Sequence, residues 1–372
     1  MLQVRVWDEQ EWNASRELYD GLLRRSNANA LFLSYDWQSL WWQHLIQRQP
    51  HEKLHVHAAY DGSELVGVLI VVSGKVRRRR LRFRSVQVAG SRLTEARGAL
   101  TEYLDIVAVA GREAEVRAAC LRSILQHERC SEFVVGWTGA GEAWVSAIEN
   151  LPRPPWSYVR RIDPLISYQA DLSTGFERYL ATLSGNARRS LFNQRRKLAE
   201  KGELTVTEVP PAELDAALQE MNRLHALRWN APALSGVNLR VHEDLIRRWA
   251  DSGSVRMSII RIDGKPISVL YDLRVGQAQF NVQMGFDPGF DSSISLGLIH
   301  LGYAMEQAAR DGVQTYDFMA GTGRSTDYKK RIATRTANVI TIQYLRNPIL
   351  ATIFRLYDAV QERRSRHDRE HS

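Results

Sequence analysis

The stretch VRMSIIRIDGKPISVLYDLRVGQAQFNVQMGF, residues 255–286, decides how this chain is read. Apolar and polar residues alternate over 255–262, again over 266–275 and again over 278–285. A period of two predicts strands with one buried face. Asp263-Gly264 and Gly276-Gln277 separate the runs, and such pairs favour tight hairpin turns. The three runs therefore predict an antiparallel meander. The period then changes. Residues 285–295 hold Gly285, Pro288, Gly289 and three serines, and read as a loop. Residues 296–311 place apolar side chains at helical spacing, and 314–319 return to a strand. A glycine-rich loop with Gly321 and Gly323 leads on to Tyr328, Lys329, Lys330 and Arg331.

Working outward, 54–60 and 65–72 are strands around an Asp61-Gly62 turn. This echoes the strand, Asp-Gly, strand pattern at Asp263-Gly264. A repeat spaced over more than half the chain is too long for a solenoid and fits two related domains. Helical spacing predicts helices over 10–26, 33–47, 112–127, 176–183, 184–201, 214–230 and 241–252, with further strands at 101–109, 133–137 and 168–172. In the run 75–84, Leu81 and Phe83 alternate with Arg80, Arg82 and Arg84, which reads as a strand with one basic face. Pro152, Pro154 and Pro155 mark a break. The expected organisation is a first domain over 1–165, a second over 166–347, and an amphipathic helix with a basic tail over 348–372.

Composition narrows the function classes. The chain has 372 residues, 44% hydrophobic and 25% charged, which suits a packed two-domain protein and excludes a disordered or collagenous one. Cys120 and Cys130 are the two cysteines, with neither zinc-ligand spacing nor a disulfide framework, so no metal is expected. The start of the chain is charged, without the apolar core of a signal peptide, and no apolar run approaches a membrane span. A cytoplasmic protein is the expectation. The net charge of +8 admits an anionic partner. Ile349, Ile353, Leu356, Tyr357 and Val360 lie on one side of a helix that Arg363, Arg364, Arg366 and Arg369 follow. Such an end either packs on its own domain or rests on an anionic membrane, here at its inner face.

The chemistry centres on the helix that begins near 296. A helix start offers unpaired N–H groups and a positive dipole end, which favour phosphate. Ser293, Ser295, Leu296 and Gly297 are the candidate cofactor-binding residues there. Elsewhere, His225, Arg228 and Trp229 share a helix face by their spacing, and Trp37, Trp41 and Trp42 fall near one face of another. Six basic residues over 184–201 form either a solvated face or a contact for an anionic acceptor.

The order of elements resembles the core of a GNAT acyltransferase, and more specifically the CelD/BcsL-type acetyltransferases, which are similar to the FemAB group with its two tandem GNAT-like domains. Several motifs carry the resemblance. They are Phe176-Glu177-Arg178-Tyr179-Leu180 with Leu183-Ser184; Asn186, Arg188 and Arg189 followed by Arg195, Arg196 and Lys197; and Gly285-Phe286-Asp287-Pro288 followed by Ser295-Leu296-Gly297. Tyr316-Asp317-Phe318-Met319-Ala320-Gly321 with Tyr328-Lys329, and the opening Tyr35-Asp36-Trp37, complete the set. The implied fold is α/β, two tandem GNAT-like domains, each a mixed twisted sheet flanked by helices.

The implied function is transfer of an acyl group from acyl-CoA, a co-substrate, to an amine of a cell-envelope or exopolysaccharide precursor, an amino sugar or an amino lipid. In that reading a backbone N–H of the strand over 278–285 holds the oxyanion and Tyr328 protonates the leaving thiolate. Lys329 stabilises charge, Asp317 orients the amine or acts as base, and His225 is a second candidate base. Arg188, Arg189, Arg228, Trp229 and Trp37 are candidate substrate contacts. Each of these residues also has a plain packing or solvent role open to it. An aminoacyl-tRNA-dependent transferase of the FemAB kind is the alternative. It is disfavoured because the helix ending near Gly202 leads directly into a strand, without an inserted helical hairpin. A non-catalytic binding module is the third reading, and no DNA partner is expected.

Overall fold

The computed structural model describes residues 2–46, 52–78, 81–91, 101–128, 130–321 and 326–370. The chain divides into two units, Met1–Pro164 with Val339–Ser372, and Leu165–Asn338.

In the first unit β1 (Gln3–Trp7), β2 (Lys53–Asp61), β3 (Glu64–Arg78) and β4 (Leu81–Val88) pair antiparallel in chain order. The two-residue β5 (Val107–Ala108) pairs off the side of β3, and β6 (Glu132–Thr138) runs parallel to β4. The expected strand over 101–109 is reduced to β5. The Glu113–His127 helix packs on β2 and β3, and Val116, Cys120, Leu121 and Ile124 enter the core.

Two readings from sequence are corrected here. Residues 75–84 do not form one strand. They form a hairpin in which Lys75 faces Arg84 and Arg77 faces Arg82, while Val76 pairs with Phe83. All four of these cations are exposed; Arg79 and Arg80 lie outside the described residues. Trp37, a candidate substrate contact by sequence, is buried in packing. The whole Tyr35–Trp41 helix is buried, its polar Asp36, Gln38 and Ser39 included. The Trp37 indole N–H donates to Thr101 Oγ1 at 3.1 Å, and the ring meets Phe32 edge-on at 5.0 Å. Trp41 and Trp42 are buried in the first unit's core.

β7 (Tyr158–Asp171) carries the chain into the second unit. There β8 (Leu204–Glu208), β9 (Val255–Ile262), β10 (Lys265–Val275) and β11 (Ala278–Phe286) pair antiparallel in order. β12 (Thr315–Ala320) is parallel to β11 and antiparallel to β7. The expected meander is present, and its first turn takes the positive φ of both central residues, Asp263 (50°) and Gly264 (76°). The Leu214–Trp229 and Gly236–Trp249 helices and the Leu296–Arg310 helix flank the sheet.

β13 (Arg335–Leu345), which the sequence reading leaves without an element, carries the chain back and pairs antiparallel with β6. Residues 339–372 therefore belong with the first unit, whereas the sequence reading ended the second domain at 347. The cause is that strand pairing, with a partner some 200 residues upstream that local pattern does not reveal.

Candidate active site

The site is built where β11 and β12 part. Their parallel pairing is confined to Ala278–Phe280 against Thr315–Asp317. At the base of the opening sits Asp272 of β10, fully buried. It accepts hydrogen bonds from Gln279 Nε2 (2.7 Å), Asn281 Nδ2 (2.9 Å) and Tyr316 OH (2.6 Å), so one carboxylate ties three strands together. Burial pushes its pKa up to about 6, against those hydrogen bonds.

Beyond that brace the two strands change course. Val282 is an extra residue in β11, because Asp272 pairs with Asn281 and Tyr271 with Gln283. An extra residue reverses the alternation of faces. Met284 and Phe286 thereby share the face of Gln279 and Asn281 and meet the Leu296–Arg310 helix at Gly297. Gly285 points the other way, where a Cβ would lie 2.1 Å from Met221 O. On β12, Asp317 accepts from Ser167 Oγ (3.2 Å), Gln169 Nε2 (2.9 Å) and the Met319 N–H (2.6 Å). Met319 takes a φ of 61°, and the register with β7 breaks between Asp317 and Ala320.

A cavity of about 330 Å³ lies at the end of β11, with Arg228, Phe286, Asp287, Ser295, Gly297 and Tyr328 among its walls. The loop into the helix is held from outside it. Gln194 Oε1 accepts the Ser295 N–H at 3.0 Å, and Gln194 Nε2 donates to Ser293 O at 3.1 Å. Lys201 pairs with Asp291 at 2.7 Å, and Lys197 donates to Ser293 Oγ. Lys201, with the Ser293 hydroxyl and amide that donate to it, holds the Asp291 carboxyl well below its usual range. Among the described residues, the amides of Gly297 and Leu298 have no acceptor.

Tyr328, on the short Asp327–Ile332 helix, is the one phenol among the described residues of the cavity wall. Burial pushes its phenol up to about 12, while the Arg228 charge pulls the other way. The Arg228 guanidinium lies 4.8 Å from the ring centres of both Phe286 and Trp229. Among the described residues it has no carboxylate partner, so a cation stands at the cavity with its charge uncommitted.

The structure thus brings together Ser295, Leu296, Gly297, Arg228 and Tyr328. It places the other candidates elsewhere. Ser293 is consumed in the loop by Asp291 and Lys197. Lys329 Nζ donates to Met319 O at 3.0 Å and holds the end of β12 instead of facing a ligand. Asp317 is buried under three donors and does not line the cavity. The His225 Nδ1–H donates to Ala231 O at 2.8 Å and closes the turn after its helix; the ring does not line the cavity. Trp229 is exposed and reaches the cavity only through its stack with Arg228. Arg188 and Arg189 are exposed outside it.

Gly297 is a candidate cofactor contact by sequence. Its missing side chain instead makes room for Met284 and Phe286, which a Cβ would meet at 2.9 and 3.0 Å. Gln194 was missed altogether, since its bond to Ser295 spans 101 residues and leaves no local trace.

Residues 185–330 match the family model described as an acetyltransferase (GNAT) domain. That stretch lies in the second unit. No curated protein matches the chain in sequence. Among solved structures, FemX is similar in fold at 13% identity and a TM-score of 0.61, over 94% of this chain and 99% of that one. A conserved protein of unknown function from Bacteroides thetaiotaomicron is similar at 11% identity and a TM-score of 0.58, over 92% and 100%. Likeness at these identities bears on fold alone, and it extends over both units. The α/β fold of tandem GNAT-like domains read from the sequence is the fold observed. In the GNAT domain, β11, the loop over 287–295 and the Leu296–Arg310 helix frame the cavity.

Proposed function

We propose that this chain is an N-acyltransferase that moves an acyl group from a coenzyme A thioester to an amine of a cell-envelope or exopolysaccharide precursor, an amino sugar or amino lipid. One observation carries the reading: in a GNAT domain, the cavity at the open end of β11 gathers unpaired helix amides, an uncommitted guanidinium and a neutral phenol. The amides of Gly297 and Leu298, at the positive end of the helix, suit the donor's phosphates. Asp291 does not oppose them, because Lys201 offsets its charge. Arg228 adds a cation on the same side.

In the reaction the amine nitrogen forms a bond to the thioester carbonyl carbon and the C–S bond breaks. A β11 amide receives the developing oxyanion. The Met284 N–H, now bound to Gln283 Oε1 at 3.0 Å, is available if that side chain turns away. Tyr328, neutral at working pH, donates a hydrogen bond to the departing sulfur, and the ammonium proton balances the thiolate through solvent.

The test is thermal shift with acetyl-CoA, a long-chain acyl-CoA, free CoA and aminoacyl-tRNA, followed by thiol release with amine acceptors. Stabilisation by CoA species with amine-dependent thiol release supports the reading. Absence of binding to every CoA species refutes it. A second reading, aminoacyl-tRNA as donor, draws on the exposed cations Lys75, Arg77, Arg82 and Arg84 and on Arg188 and Arg189. It requires tRNA retention at low salt that falls steeply as salt rises. A non-catalytic binding role requires that Tyr328→Phe leave cellular function intact.

A further inference from the structure

The Pro348–Glu370 helix of the first unit shows two unlike faces. Its inward face is locked. Leu350 and Ala351 are buried with Leu345, and Phe83, Tyr158 and Phe354 pack around them. Four residues beyond Phe354, Asp358 accepts from Arg160 Nε and Nη2, both at 2.7 Å, and from Tyr158 OH at 3.1 Å. Arg160 also donates to Gln343 Oε1 at 2.6 Å, and Gln343 Nε2 donates to the buried Glu132 at 2.6 Å. This chain of polar contacts fixes the rotation of the helix about its own axis, through positions 350, 354 and 358.

The opposite face follows from that rotation. Ile349, Ile353, Leu356 and Val360 recur there in steps of four, three and four, the spacing of one helical stripe. Ile349 is 57% exposed, Leu356 65% and Val360 48%. Arg363 and Arg364 are exposed three and four residues beyond Val360, one on each side of the stripe. The two acids of the same stretch, Asp358 and Glu362, are spaced four apart on the inward side. From 349 to 364 the outward face carries aliphatic side chains and cations, and no carboxylate.

We propose that this face lies on an anionic phospholipid bilayer. The helix runs in the plane of the surface, with its aliphatic stripe at the acyl boundary and Arg363 and Arg364 on lipid phosphates. Among the described residues no helix is long and apolar enough to cross a membrane, so the contact is peripheral. A second copy of this chain fits the stripe less well, because its own matching face offers the two arginines no carboxylate. The proposal does not depend on the acyl-transfer reading.

Flotation of the full-length protein with vesicles tests it. Protein is expected to float with phosphatidylcholine vesicles containing about a third phosphatidylglycerol and to stay behind with phosphatidylcholine alone. Arg363→Ala with Arg364→Ala is expected to weaken binding roughly twentyfold, about fivefold per arginine. Leu356→Asp with Val360→Asp is expected to abolish flotation and leave the melting temperature unchanged, since both side chains are exposed. Equal flotation with both vesicle types, none with either, or flotation that survives Leu356→Asp with Val360→Asp overturns the proposal. A dimer in sedimentation that the same double variant dissociates overturns it in favour of a second copy.

Discussion

Tyr328 and Arg228 are neighbours in space, but their roles separate in kinetics. Tyr328 is neutral because burial holds its phenol near 12, and in the proposed reaction it is a donor throughout the working range. Tyr328→Phe keeps the ring and removes the donor. It is expected to lower kcat about a hundredfold with little change in donor Kd, read by pre-steady-state rates against equilibrium binding. Arg228 lies on two rings with no ion pair among the described residues, so its charge is free for a ligand. Arg228→Ala is expected to raise the Kd for the anionic substrate about tenfold, measured by titration calorimetry. Asp317 and Lys329 show the opposite case. Both looked chemical in sequence, and both are spent on the end of β12, where Met319 must hold a positive φ.

At the scale of elements, the opening between β11 and β12 depends on three devices: the Asp272 brace, the extra residue at Val282 and close packing at glycine. Gly285 presses β11 against the backbone of the Leu214–Trp229 helix at Met221 and His225. A methyl group there meets the main chain of that helix, which cannot yield as a side chain would. Gly285→Ala is expected to cost about 3 kcal/mol in urea unfolding and to lower donor affinity as β11 shifts. Strands of the meander were legible because their alternation is local. The β11–β12 opening was not, because it arises where pairing stops, and local pattern does not report the absence of a partner. The Tyr35–Trp41 helix marks the same limit: the spacing puts three tryptophans near one face, yet every side of that helix is covered.

At the scale of the molecule, three histidines are buried neutral among the described residues. His57, His242 and His300 are pushed down to about 3, 4 and 3 by burial. His300 sits between Ser258 Oγ (2.9 Å) and Ser268 Oγ (2.7 Å). The unfolded chain protonates each near the ordinary value of about 6.5, so below that pH it binds protons that the folded chain does not. Stability therefore falls as pH falls. Asp272, held up to about 6, works in the opposite sense between about 4 and 6 and offsets one proton of the three. The net expectation is a loss of roughly 3 kcal/mol per pH unit around pH 5, read as a falling urea midpoint between pH 7 and pH 5.

What the sequence determined by itself is what short-range periodicity can encode: the meander, the helices around it, the Gly/Ser loop before residue 296 and, through motif order, the GNAT domain. Tyr328, Arg228 and the helix start were legible because their positions follow from that order. Tertiary structure alone decided which of the charged and aromatic residues face the cavity. Gln194 caps a loop 101 residues away, Lys329 turns onto a strand end, and β13 returns the chain to the first unit. The physical reason is the same for each. A side chain's role is set by the partner that desolvates or hydrogen-bonds it, and those partners come from segments far apart along the chain.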